Sequence, residues 1–525
     1  MSVPFSRRRF LSDVGRGVLV ASVGPALASE LAFGGETLAE GPPARLTFGD
    51  MEPLVSLMEE TPVGKLLPAL VEKLNSGTEL KQLVAAAALA NARTFGGEDY
   101  VGFHTLMALS PAYHMASEMP EATRALPVFK VLYRNTNRIQ ESGGRQHEVL
   151  TPVQPAALPD GAKGADALRD AVRAKDVDRA EKTFAGLFGC SDGCCAEDAF
   201  NDLLHTVQDN TEVHRVVLPY RAWDLLDLVG KEQAHTLLRQ SVRYCVKAEG
   251  WSKPAGYDEP RAVLPKLMER YHLIDRTPGT RAADDKWVED MSRTIFSSTA
   301  TQAAEAAAAA LADGFAPACL GEAISLAANQ LVLRDLGRRP FEEVAGKPLG
   351  SVHGDSIGVH ACDSANAWRN MARVSNARNT FACLILGAYQ VALDRVQRGG
   401  DFLNWQPMPL QQHVAQVKST DPDSLLHELD DAVRGNMQAH AAAIAQKYGD
   451  LGHPPRGVLD LMLKYATSED GSLHAEKYYR TTSDEFASTR PAFRWRQLVA
   501  LARVTASEYG RPAPGMAEAR ALLKV

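Results

Sequence analysis

Beyond its first thirty residues this chain has no apolar run long enough to cross a membrane, so the mature protein is expected to be soluble. It also lacks a long basic stretch after that point, and its net charge is −7, which disfavours a nucleic-acid partner. Neither G-x-x-x-x-G-K-[ST] nor G-x-G-x-x-G occurs, which argues against nucleotide enzymes and Rossmann-type flavin enzymes. Strand-like alternation of β-branched residues is nearly absent. Cysteine is sparse: seven in 525 residues, an odd number that does not make a disulfide framework. Cys190, Cys194 and Cys195 form the one cluster, with no further ligands at zinc-site spacing.

What is present begins with the N-terminus. Ser6-Arg7-Arg8-Arg9-Phe10-Leu11 is followed by a short, glycine-containing apolar run to Val23 and by Ala26-Leu27-Ala28. Charged, apolar and small-residue regions in that order describe a cleaved signal peptide. The paired arginines before Phe-Leu resemble the bacterial twin-arginine (Tat) signal. The resemblance implies a periplasmic or extracellular destination, with the Tat translocase as a partner. Tat substrates are generally exported already folded, often because a metal or cofactor is inserted first.

The mature sequence reads as all-α. Glu79–Arg93, Ala303–Leu311 and Phe381–Arg398 are runs of strong helix formers with apolar residues at helical spacing. Proline- and glycine-rich breaks fall at Leu150–Lys163, Gly250–Pro260, Thr277–Thr280 and Arg338–Gly350. The chain also matches itself. Val101-Gly102-Phe103-His104 recurs 256 residues later as Ile357-Gly358-Val359-His360. Met115-Ala116 falls on Met371-Ala372 at the same offset, and Arg138-Ile139-Gln140 resembles Arg395-Val396-Gln397. Leu203-Leu204-His205 resembles Leu425-Leu426-His427, and His235 has a looser counterpart in His474. The expected organisation is a signal peptide at 1–28, an N-terminal extension at 29–59, a helical unit at 60–250, a connector at 251–299, and a second unit at 300–525 that includes a C-terminal helix. The two units are expected to pack about a pseudo-twofold axis. The period is too long for a solenoid array.

If the units are paired in that way, equivalent histidines meet at the axis. His104, His235, His360 and His474 are therefore the candidate metal ligands, because neutral imidazoles suit Fe, Zn, Cu or Mn. A structural role would be inherited by duplication as readily as a ligand role. His205, His214, His353, His427 and His440 compete for the same places. Lys477 lies three residues after His474, on the same helical face, and has no counterpart after His235. Beside a metal it is a candidate catalytic group: a proton donor, a charge stabiliser or, as a carbamate, a ligand.

Histidines in short apolar contexts on a helical chain, Gly102-Phe103-His104 and Val359-His360-Ala361, are similar to those of the questin oxidase-like proteins. The resemblance implies a non-haem iron oxygenase with His104, His235, His360 and His474 as ligands, and it gives no substrate. Two functions are therefore expected: an exported metal-dependent oxidoreductase, or a non-catalytic helical protein that binds a small molecule or protein partner between its halves.

Overall fold

The computed structural model describes residues 45–158, 163–188, 196–397 and 401–525. The Tat-type signal and the Cys190, Cys194, Cys195 cluster lie outside them. The other four cysteines are free thiols, three of them buried.

The chain is all-α. Among the described residues, β pairing is confined to three isolated bridges. The expected helices are present. Glu79 and Gln82 close a capping box that starts the helix Leu80–Phe95, and Gly96 ends it with φ of +53°. Thr299 and Gln302 form the same box at the head of the alanine run, Ala300–Ala312. The third expected helix is Ala377–Gln397. The long breaks are non-helical where they are described, apart from a short 3-10 turn at Pro340–Glu342.

Residues 46–525 cluster as one compact unit. Part of the expected N-terminal extension belongs to its core. Arg93, fully buried, pairs with Glu59 at 2.6 Å and Glu52 at 2.8 Å, and its Nη1 donates to the Leu46 carbonyl. The expected connector is about half helical. Pro260–Arg270 and Asp285–Ser297 pack on the helices of the following segment.

At the centre stand four helices: α1 (Tyr100–Glu118), α2 (Val213–Asp224), α3 (Ile357–Val374) and α4 (His474–Ser488). Each packs against two of the others in the order α1–α2–α3–α4–α1, which closes a ring. They run in the same direction. Contacts between their first turns are followed by contacts between their later turns, Ser110 with Asp224, Arg221 with Thr481 and Asn366 with Glu485. Parallel neighbours need long returns, and the intervening helices supply them.

Two glycines allow the close approach of neighbouring helices. A Cβ at Gly102 would stand 2.5 Å from the Phe95 ring, and one at Gly358 would stand 2.7 Å from the Val332 nitrogen. The repeated Gly-x-His thus has a packing reason. Glycine faces the preceding helix, and the histidine two residues later turns into the ring.

Candidate metal centre

Each ring helix places one histidine at its N-terminal end. His104 is the fifth residue of α1, His214 the second of α2, His360 the fourth of α3 and His474 the first of α4. The start of each helix is fixed locally. Asp99 caps α1 through the Gly102 N–H, Glu212 caps α2 through the His214 and Arg215 N–H groups, and Ser356 caps α3 through the Val359 N–H. Before α4 the chain turns through two left-handed non-glycine residues, Ser472 (φ +51°) and Leu473 (φ +66°). Such residues cost of the order of 1 kcal/mol or more each and cluster at functional sites.

The four rings form a closed circuit. Their centroids are 4.8 Å apart for His104–His214, 6.0 Å for His214–His360, 5.2 Å for His360–His474 and 5.2 Å for His104–His474. Two pairs meet through Nε2: His104 with His214 at 3.2 Å, and His360 with His474 at 3.2 Å. Adjacent ligands of a metal held at about 2.0–2.1 Å stand roughly 3.0–3.4 Å apart. Each pair therefore has the spacing of two neighbouring ligands, while between the pairs the His214–His360 side is wider, at 6.0 Å. Accordingly, no group of three or more His, Cys, Asp or Glu side chains among the described residues is closed up for an ion as it stands. A common centre requires the two pairs to draw together.

The other ring nitrogens set the tautomers. His104 Nδ1 lies 2.6 Å from the Tyr100 carbonyl, and His474 Nδ1 lies 3.0 Å from the Ser472 carbonyl. A carbonyl only accepts, so both Nδ1 atoms carry their protons and donate. His214 Nδ1 donates to Glu212 Oε1 at 2.7 Å. Burial pushes Glu212 up, but His214 and the Tyr244 hydroxyl outweigh it and hold the carboxyl at about 2. Burial, followed by the Lys477 charge, drives His104 and His474 well below the ordinary histidine value. These two rings are therefore neutral, with bare Nε2 lone pairs aimed at their partners. Anchored Nδ1–H and an inward Nε2 lone pair is the arrangement that metal-binding histidines adopt.

The structure thus brings together three of the four sequence candidates, His104, His360 and His474. His235 is a correction to the expected set. Its ring is stacked on Phe184 at 5.9 Å and edges onto Phe188 at 5.4 Å, away from the ring of four, and burial lowers it to about 4. Its place is taken by His214. The signal for His214 was spacing. It follows His104 by 110 residues, as His474 follows His360 by 114. Of the other competitors, His427 is on the surface, and His205 and His353 are lodged elsewhere.

Lys477 is where its spacing puts it, one turn below His474 and 2% exposed. Burial lowers it to about 8, with Asp363 acting against that. Asp363, one turn below His360, is raised by burial against the pull of Lys477 and Arg221. Toward the surface, the exposed Tyr100 lies 4.5 Å from the His104 ring and 5.8 Å from the His214 ring. A small cavity of about 10 Å³, lined by Glu469, Tyr478 and Glu508 among others, meets a different face of α4 and is not at the histidines.

Compared with known families, curated proteins and solved structures, the chain finds no match. No described helix is long and apolar enough to cross a membrane.

Proposed function

We propose that His104, His214, His360 and His474 hold one transition-metal ion, and that the exported chain is a metal-dependent oxidoreductase of the non-haem oxygenase type. The observation that carries this reading is the pairing of inward Nε2 atoms, with the Nδ1 protons of His104, His214 and His474 already committed. With no proton on His104 or His474 Nε2, each 3.2 Å pair is held together by a cation or by a proton shared from its partner.

Four imidazole donors in a mostly buried circuit suit Fe, Zn, Mn or Cu, and the oxygenase reading selects Fe among them. The bound ion would supply an open coordination position and, for iron, a change of valence. The chain itself orients the four rings, keeps bulk water away from them, and holds a proton on Lys477. The expected likeness to questin oxidase-like proteins points to the same oxidative chemistry. Loading the ion before export gives the Tat route its reason, with the translocase acting through residues 1–28. The matched spacings of 110 and 114 residues, and Gly-x-His in each half, support a duplicated origin for the two pairs.

Metal analysis of the purified chain tests the reading. About one Fe, Mn, Cu or Zn per chain, lost in the double variant His104→Ala/His360→Ala, is the expected result. A metal-free wild-type chain that stays fully folded and gains no stability from added Fe(II), Mn(II), Cu(II) or Zn(II) would leave proton-shared histidine pairs and sink the proposal.

A further inference from the structure

Below the histidines the four helices stop being alike. One turn on, α1 and α2 contribute Met107 and Val217, whereas α3 and α4 contribute Asp363 and Lys477. A further turn brings Arg221 of α2 beside Thr481 of α4. Arg221 Nη2 donates to Thr481 Oγ1 at 3.2 Å, and Thr481 Oγ1 donates to Asp363 Oδ1 at 2.8 Å.

The two cations in this layer are poorly satisfied. Arg221 is 1% exposed, and its Nε and Nη1 have no hydrogen-bond acceptor. Asp224, 3.9 Å from Nη1, is beyond hydrogen-bond reach and accepts instead from Ser110. Lys477 Nζ makes no hydrogen bond or ion pair among the described residues, and its neighbour Glu476 is paired with Lys130 at 2.7 Å. A buried guanidinium is ordinarily saturated by acceptors in its fixed fork of donors. Two unpaired donors on one, next to an unpaired ammonium, are a binding demand.

Charge counting points the same way. Imidazoles bring no negative charge to a divalent ion. Lys477 and Arg221 add two positive charges, against at most three negative ones from Asp363, Glu212 and Asp224. At least one positive charge of a divalent ion is then left uncompensated, and four helix N-termini add to the positive field around it.

We infer that Lys477 and the free Nε and Nη1 of Arg221 form the anion site of the histidine centre, and that its co-substrate or inhibitor is a small monovalent anion of two or three heavy atoms. A reduced-dioxygen anion has this chemistry. So do formate and azide. The inference rests on the metal centre proposed above.

The test uses the full-length mature chain loaded with Co(II), titrated with sodium azide and followed by visible absorption. The wild type is expected to bind one azide per cobalt. Arg221→Gln and Lys477→Met are each expected to weaken azide at least tenfold while cobalt stays near one per chain. Should Arg221→Gln fail to fold, Lys477→Met carries the comparison. Azide affinity within twofold of wild type in every folded variant overturns the inference and leaves the metal centre standing, as does a cobalt-loaded wild type that takes no azide. A chain that takes up no cobalt overturns both.

Discussion

The two histidine pairs are alike where they meet and unlike one turn away. His104–His214 and His360–His474 have the same Nε2 separation of 3.2 Å and nearly the same spacing along the chain. Beneath the first pair lie Met107 and Val217, both buried, and beneath the second lie Asp363 and Lys477. Under the proposed metal centre, the likeness at the rings is the ligand task shared by the four imidazoles, and the difference below gives one side of that centre charged neighbours.

The first way to break the comparison is to remove one ring from each pair. His104→Ala and His360→Ala are expected to lower the metal content of dialysed protein alike, from about one ion per chain to under about a tenth. His235→Ala is expected to leave it unchanged. Elemental analysis of the three variants decides it. Unequal losses from His104→Ala and His360→Ala would end the equivalence of the pairs, and metal loss in His235→Ala would restore the expected ligand set.

Exchanging the lower layers is the second. Val217→Lys places an unpaired ammonium beneath the first pair, where no carboxylate corresponds to Asp363. A loss of about 3 kcal/mol or more is expected by chemical denaturation. Lys477→Met, which copies the apolar layer of the first pair, is expected to cost within about 1 kcal/mol, because Lys477 has no hydrogen bond or ion pair to lose among the described residues and burying its charge is itself costly. Equal costs for the two substitutions would mean that the layers are interchangeable packing.

The all-α class, the main helices and three of the four ring histidines were legible in the sequence. Helix class follows from composition and periodicity, which are local properties. His104 and His360 stood out because Gly-x-His must satisfy one packing rule twice. His214 escaped because Glu212-Val213-His214-Arg215 shares only the histidine with Ser472-Leu473-His474-Ala475. A carboxylate anchors Nδ1 in one, and a main-chain carbonyl does so in the other. Different side chains performing one task leave no repeat to read. His235, chosen in its place, sits among leucines near the start of a helix, and the sequence could not show that its neighbours would be Phe184 and Phe188. The Arg221–Thr481–Asp363 chain joins three helices, so it emerged only from packing.

The second pair is also backed by a buried acid. Glu508 Oε1 accepts from the Gly354 N–H at 2.7 Å and lies 3.5 Å from His353 Nδ1, with Lys130, Asp355 and Glu476 also facing it. Burial raises it to about 8 from an ordinary 4.5. A carboxyl raised on folding adds stability that is full below about pH 4.5 and is lost as pH climbs to about 8. The buried histidines act oppositely. His353 is lowered by burial to about 4, and His104 and His474 also lie below the usual value, so stability rises with pH until about 6.5. Lys477, lowered to about 8, changes stability only above that pH. The metal-free chain is therefore expected to be most stable near pH 6.5 and to lose of the order of 2 kcal/mol by pH 8. Glu508→Gln should flatten that fall in denaturant midpoints. A fall of the same size in the variant would assign it to another group.

The smallest expected effect sharpens the comparison most, because it asks how each pair fixes its tautomer. On the first pair the anchor is a side chain, Glu212, which also accepts from the Tyr244 hydroxyl at 2.7 Å. On the second it is the Ser472 carbonyl. Glu212→Gln keeps the shape and the hydrogen-bond reach of the anchor but removes the charge that favours Nδ1–H on His214. Partners of this kind tune affinity by roughly 10–100-fold, so weaker metal binding in that range is expected from competition with a chelator. Ser472→Ala leaves the main-chain carbonyl in place and should change nothing. If Glu212→Gln bound metal as tightly as wild type, the carboxylate would be only the cap of α2. If Ser472→Ala weakened binding, the left-handed turn before His474, and not its carbonyl, would be what sets that ring.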